Sequence, residues 1–132
     1  MNKKILIVDD EPDIVSYLEM VLQDQGYETV TAGNGNEALE MVKQERPALV
    51  TLDISMPEAS GTRFYKEMRT DPELLKIPVV IVTAVTGLGG DKYAYEKFIS
   101  NRRLVPAPEA FFPKPIDRDA FVKAVNALLA AA

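Results

Sequence analysis

The 132-residue chain contains no cysteine and no histidine. Without thiols there is no disulfide framework, no thiolate metal site and no cysteine nucleophile, a composition that fits a reducing compartment. Without imidazole, serine–histidine triads and histidine-bound zinc or iron are excluded too. Any metal must sit on oxygen ligands, which favours Mg²⁺, Mn²⁺ or Ca²⁺. Positive charge is also short: 15 Lys and Arg stand against 20 Asp and Glu, interleaved along the chain, for a net charge of −5. There is no basic stripe and no basic patch rich in aromatics, so direct nucleic-acid binding is not expected. The N-terminus lacks a signal-peptide pattern, and the apolar run Ile5 to Val8 is far too short to span a bilayer. No membrane insertion and a cytoplasmic location are the expectations.

What is present is a set of short apolar runs: Ile5–Val8, Thr29–Ala32, Leu49–Leu52, Val79–Val82 and a weaker Ala110–Phe112. Rich in β-branched residues or bounded by turn residues, they read as buried strands. Segments with helical spacing lie between and after them, with apolar stripes at Ile14, Leu18, Val21 and Leu22, at Ala38, Leu39 and Val42, and at Phe121, Val125 and Leu128. Gly26 reads as a helix stop, and Asn36, Ser60 and Asp117 as N-caps. Alternating strands and helices predict a parallel sheet covered on both faces, because parallel strands need crossovers. The length suits a single domain over residues 1–132; the last helix runs out into Ala130, Ala131 and Ala132, and no output domain is expected.

Open α/β sheets bind ligands outside the carboxyl ends of their strands. Those ends carry Asp9, Asp10 and Glu11 after the first strand, Asp53 after the third, Thr83 after the fourth and Lys114 after the fifth. Carboxylates this close repel by roughly 4 kcal/mol per pair at an effective dielectric of about 20, and a divalent cation removes that cost. An acidic run before Pro12 also suits a helix start favoured by the macrodipole. Asp53, in "LVTLDISMP", follows a run that should be buried, where a solitary carboxylate is costly. Beside a divalent ion it can act as a nucleophile on a phosphoryl group. A threonine hydroxyl and a lysine ammonium supply donors for phosphoryl oxygens. Lys114-Pro115 can be cis, which would aim the lysine into the site.

The motifs "ILIVDDEP", "LVTLDISMPEASG", "VVIVTA" and "FPKPI", in this order, resemble the receiver domain of two-component response regulators, of the stand-alone CheY-like chemotaxis type. The resemblance covers the whole chain and implies a flavodoxin-like (βα)5 fold, a three-layer sandwich on a parallel sheet of order 2-1-3-4-5. It implies Asp53 as phosphoacceptor from a sensor histidine kinase, phosphotransfer protein or small phosphodonor. Mg²⁺ would be ligated directly by Asp10 and Asp53, through water by Asp9, and by the backbone carbonyl of Ser55. Thr83, Lys114 and the Ala84 amide would bind the phosphoryl group, and Thr83 with Phe111 would form the switch. Such a domain is not an enzyme beyond its own phosphorylation and dephosphorylation. It would signal to a downstream protein through the surface of the fourth helix, fifth strand and fifth helix. Glu11 aligns with a common acid whose part is left open.

Several residues depart from the family pattern. Ser60 stands where an aspartate is usual, the Gly-Ala before the fifth strand is missing, and Pro113 directly precedes Lys114, which predicts an edge-like strand end. Thirty residues separate Thr83 from Lys114, several more than usual. They hold "TGLGGD" and a helix expected from about Asp91 to about Leu104, with Tyr95, Phe98, Ile99 and Arg102 on one stripe. Two other readings stay open: a pseudo-receiver that binds without being phosphorylated, and an Mg²⁺-dependent phosphohydrolase. The usual signature of the latter places a nucleophile and an acid two residues apart on the first strand; Asp9 and Glu11 have that spacing, but Pro12 and Asp13 follow and no such motif with a threonine exists.

Overall fold

The structure is a computed structural model that describes residues 3–54, 60–84 and 108–131, with only the backbone of Thr83, Ala84 and Ala131. Ser55, the "TGLGGD" run and the helix expected at 91–104 lie outside the described residues. The elements are β1 (Lys4–Val8), α1 (Pro12–Asp24), β2 (Glu28–Ala32), α2 (Gly35–Glu45), β3 (Leu49–Leu52), α3 (Ser60–Thr70), β4 (Val79–Ala84), β5 (Ala110–Lys114) and α4 (Arg118–Ala131). All neighbouring strands pair in parallel, in the order β2-β1-β3-β4-β5. This is the flavodoxin-like order that the motifs imply. Among the described residues, no helix is long and apolar enough to cross a membrane.

The two-residue period of a strand divides the core in two. Leu6, Val8, Val50, Leu52, Val79 and Ile81 face α2 and α3, meeting Ala38, Val42, Phe64, Tyr65 and Met68. Ile5, Ile7, Leu49, Val80 and Val82 face α1 and α4, meeting Leu18, Val21, Leu22, Phe121, Val125 and Leu129. The strands therefore read as continuous apolar runs because both faces are covered. In the last turn of α4 the buried residue is Leu129, with the expected Leu128 only partly buried, since the stripe drifts around the helix.

The helix ends correct two of the three expected caps. Asn34, not Asn36, caps α2: its extended backbone frees the side chain to accept from the Glu37 amide at 2.8 Å, while Asn36 lies inside the helix. Ser60 occupies the first position of α3, and its buried Oγ has no hydrogen-bond partner, so it caps nothing. Asp117 caps α4 as expected, accepting from the Ala120 amide at 3.1 Å. Gly26 ends α1 at φ 90°, with its own amide donating to Gln23 and that of Tyr27 to Leu22, the double bond pair of a left-handed helix stop.

Gly35 matters for another reason. A Cβ at this position would stand 2.1 Å from the Ser60 carbonyl oxygen, so only glycine lets α2 start this close to α3. The buried face of α3 (Phe64, Tyr65, Met68 and Arg69) was not foreseen from spacing, because its apolar residues are few and an arginine completes it. The Arg69 side chain is 2% exposed and donates to the carbonyls of Leu75 and Ile77 and to Glu109. Glu109 also accepts from the Val79 amide. The pair thus ties the approach to β5 onto α3 and the start of β4.

Candidate functional site

β1 and β3 lie side by side at the point where strand order reverses, with Val8 opposite Leu52. The ladder continues one residue beyond each strand. The Asp9 amide donates to the Ala32 carbonyl at 3.1 Å and the Asp53 amide to the Val8 carbonyl at 2.9 Å. Backbone bonding therefore fixes both acids at the rim before their side chains do anything, and both are buried, at 3% and 2% exposure. Asp10 and Glu11 follow on the exposed turn into α1, whose first residue is Pro12.

Lys114 reaches this rim from β5. Its backbone is aligned with Ala84, and Thr83 with Pro113, at the ends of β4 and β5. Thr83 and Ala84 thus sit within the fourth strand rather than after it, and Lys114 closes the fifth. Two strand spacings, about 10 Å, separate β5 from β3, a gap that a long side chain can bridge. The Lys114–Pro115 bond is cis. Lys114 Nζ donates to Glu11 Oε1 at 2.8 Å and stands 3.0 Å from Asp9 Oδ2 and 3.5 Å from Asp53 Oδ2. Its side chain is 10% exposed.

Charge at this rim is strongly coupled. Burial pushes the Asp9 carboxyl up to about 6; the negative charge of Asp53 adds to that, while the Glu11 amide and the Lys114 ammonium oppose it. Burial works against the Lys114 ammonium, but the hydrogen bond to Glu11 and the charges of Asp53 and Asp9 outweigh it and raise its pKa. Asp9 Oδ1 accepts from the Glu11 amide at 2.9 Å. Asp9 Oδ2 is buried without a hydrogen bond, although the ammonium is near.

One carboxylate oxygen from each of Asp9, Asp10, Glu11 and Asp53 can be chosen so that all lie within 4.8 Å of one another. All are hard oxygen donors, one buried oxygen lacks a hydrogen bond, and among the described residues a single ammonium faces the group. A divalent cation of the Mg²⁺ type fits that donor set. Beside it, a groove of about 520 Å³ opens past Asp10 between the start of α2 and α3, lined by Asn34, Glu37, Ser60 and Arg63 among others. Phe111 is partly buried and packs on the α2–α3 side of the core.

Of the residues singled out in the sequence, the fold thus brings Asp9, Asp10, Asp53 and Lys114 together and sets Thr83 and Ala84 on the adjacent strand end; Ser55 is outside the described residues. The part left open for Glu11 is filled by a contact with Lys114, 103 residues away. No local pattern could have shown it.

Comparison with known proteins agrees with this architecture. Residues 5–126 match the model of the response regulator receiver domain, and the chain belongs to that family. Among curated relatives, the polar-differentiation response regulator DivK of Brucella anthropi is 33% identical over 129 residues, covering 98% of each chain. Protein Rrf1 of Nitratidesulfovibrio vulgaris is 42% identical over 88 residues; the match covers 67% of this chain and 64% of Rrf1. The receiver domain of the sensor histidine kinase PA1611 from Pseudomonas aeruginosa shares the fold at a TM-score of 0.82 and 19% identity, covering 98% of this chain and 99% of that one; that structure has a magnesium ion coordinated in its active site cleft. The chain is thus a CheY-like receiver domain of the two-component system class.

Proposed function

We propose that this receiver accepts a phosphoryl group on Asp53 and uses it to alter a surface read by a downstream protein. The observation that carries the reading is the setting of Asp53: a carboxylate 2% exposed, 3.5 Å from a lysine ammonium and clustered with three further acids. A buried acid in such company is costly unless the site is used. An Asp53 carboxylate oxygen attacks phosphorus, a P–O or P–N bond to the donor breaks, and the leaving group departs with that electron pair, giving an aspartyl phosphate. The donor is a histidine kinase, a phosphotransfer protein or a small phosphodonor.

Asp10 and Asp53 would hold Mg²⁺ directly and Asp9 through water, and the Ser55 carbonyl would complete the protein ligands. When bound, the ion offsets the carboxylate charge and stabilises charge on the transferred group. Lys114, the Thr83 hydroxyl and the Ala84 amide bind phosphoryl oxygens. Thr83, drawn to the phosphoryl group, makes room for Phe111 to turn inward, which changes the face formed by β5, α4 and the expected helix at 91–104. The chain turns over no outside substrate: receivers are generally not enzymes in their own right. A whole-molecule mass measurement after incubation with acetyl phosphate and Mg²⁺ tests the reading. One base-labile phosphoryl group is expected on the wild type and none on Asp53→Asn. An adduct that persists in Asp53→Asn moves the chemistry elsewhere. No adduct on either protein favours the pseudo-receiver, and sustained hydrolysis of outside phosphomonoesters favours the phosphohydrolase.

A further inference from the structure

The ammonium of Lys114 is shared among three carboxylates, and they are not equivalent. Asp9 and Asp53 are buried and, on the acceptor reading, belong to the cation and the phosphoryl group. On the same reading Glu11 is assigned to neither, and it is largely exposed, with 57% of its side chain accessible. Yet Lys114 Nζ donates its hydrogen bond to Glu11, at 2.8 Å, while Asp9 Oδ2 stands 3.0 Å away as an ion-pair partner. The 3.5 Å gap to Asp53 exceeds the ordinary reach of an N–H···O bond. The directed contact of the ammonium is therefore with Glu11 rather than with the acceptor.

We propose that Glu11 is a positioning residue for phosphoryl transfer, holding the Lys114 ammonium beside Asp53 without letting it close on the acceptor carboxylate. The proposal rests on the acceptor reading of Asp53. An ammonium has three N–H donors on a flexible stem, and nothing in its own chemistry fixes where they point. With Glu11 taking one, the nitrogen stands where an oxygen added to Asp53 can meet the others. Without Glu11, the buried carboxylates are the remaining partners and attraction to them is strongest in their low-dielectric setting. Nζ then settles directly on Asp53, which blunts the carboxylate as a nucleophile and crowds the cation.

Contact and charge can be separated by substitution. Glu11→Gln keeps reach and a hydrogen-bond acceptor but loses the charge; Glu11→Asp keeps the charge but is one methylene too short; Glu11→Ala loses both. Because Glu11 is exposed, its contact is worth about fivefold in rate, about 1 kcal/mol, the upper end for a solvent-facing pair. Phosphorylation of each full chain by acetyl phosphate is followed at saturating Mg²⁺ and donor. In parallel, hydrogen exchange of the Lys114 ammonium is read by ¹⁵N NMR in metal-free protein. Glu11→Gln should stay within about twofold of the wild-type rate and keep a slowly exchanging ammonium. Glu11→Asp and Glu11→Ala should fall about fivefold and exchange faster. The proposal is overturned if Glu11→Asp matches the wild type while Glu11→Gln falls, which would make Glu11 a source of field only. It is overturned equally if all three variants keep the wild-type rate and exchange. If the wild type itself takes no phosphoryl group on Asp53, the acceptor reading fails and the proposal with it.

Discussion

Replacing Lys114 with methionine removes the one ammonium that, among the described residues, faces the acidic rim, while keeping a side chain of similar length. Asp9 and Asp53, 3% and 2% exposed, then lose the ammonium that stands 3.0 and 3.5 Å from them. The contact with Glu11 contributes little to the loss, because Glu11 can return to water. Breaking a buried pair by removing one partner costs about 3–5 kcal/mol. Part of this is recovered because Asp9, already pushed up to about 6, can take a proton instead of remaining charged. Near neutral pH and without metal, Lys114→Met should therefore lose about 2–4 kcal/mol, roughly 10 °C in Tm for a chain of this size. Two further signs identify the cause. The loss should shrink on acidification toward about pH 5, where Asp9 binds its proton. It should also shrink when Mg²⁺ is added, because a ligand of the folded state stabilises it by mass action. Urea unfolding monitored by circular dichroism, with and without EDTA, measures all three quantities. If Lys114→Met unfolds at the wild-type midpoint in metal-free neutral buffer, the acids do not need the ammonium and the charge-coupled description of the rim is wrong.

Two further outcomes follow from the same geometry. In Gly35→Ala the new Cβ would meet the Ser60 carbonyl at 2.1 Å, so α2 must move off α3; a stability loss of about 1–3 kcal/mol is expected in thermal unfolding, with Gly33→Ala, where nothing lies within 4 Å, as the mild control. The Asp9 carboxyl binds its proton more tightly folded than unfolded, so its contribution is most favourable at low pH and declines as pH rises from about 4 through about 6. The gap between those values is worth about 3 kcal/mol at most, and Asp9→Asn should remove that stretch of the metal-free stability–pH curve. An unchanged curve in Asp9→Asn would assign the slope to another group.

The strands, the parallel sheet and the acids at its rim were legible in the sequence because each rests on local pattern. A run such as Ile5–Val8, short and rich in β-branched residues, reads as a strand covered on both faces, and whatever follows it then stands at the strand's carboxyl end. Asp9, Asp53 and Lys114 were found in this way. Other features depend on what the fold sets side by side. Asn34 rather than Asn36 caps α2 because the backbone turns there, close against α3, where Gly35 meets Ser60. Arg69 is buried because the carbonyls of Leu75 and Ile77, together with the distant Glu109, converge on its guanidinium from two separate stretches of chain. Glu11 finds Lys114 across 103 residues of chain. Spacing along a chain records which way a side chain faces within its own element; which partner waits there is decided by the packing of elements distant in sequence. For that reason Asp53 could be expected at the rim from its motif, while the contact between Glu11 and Lys114 needed the tertiary structure.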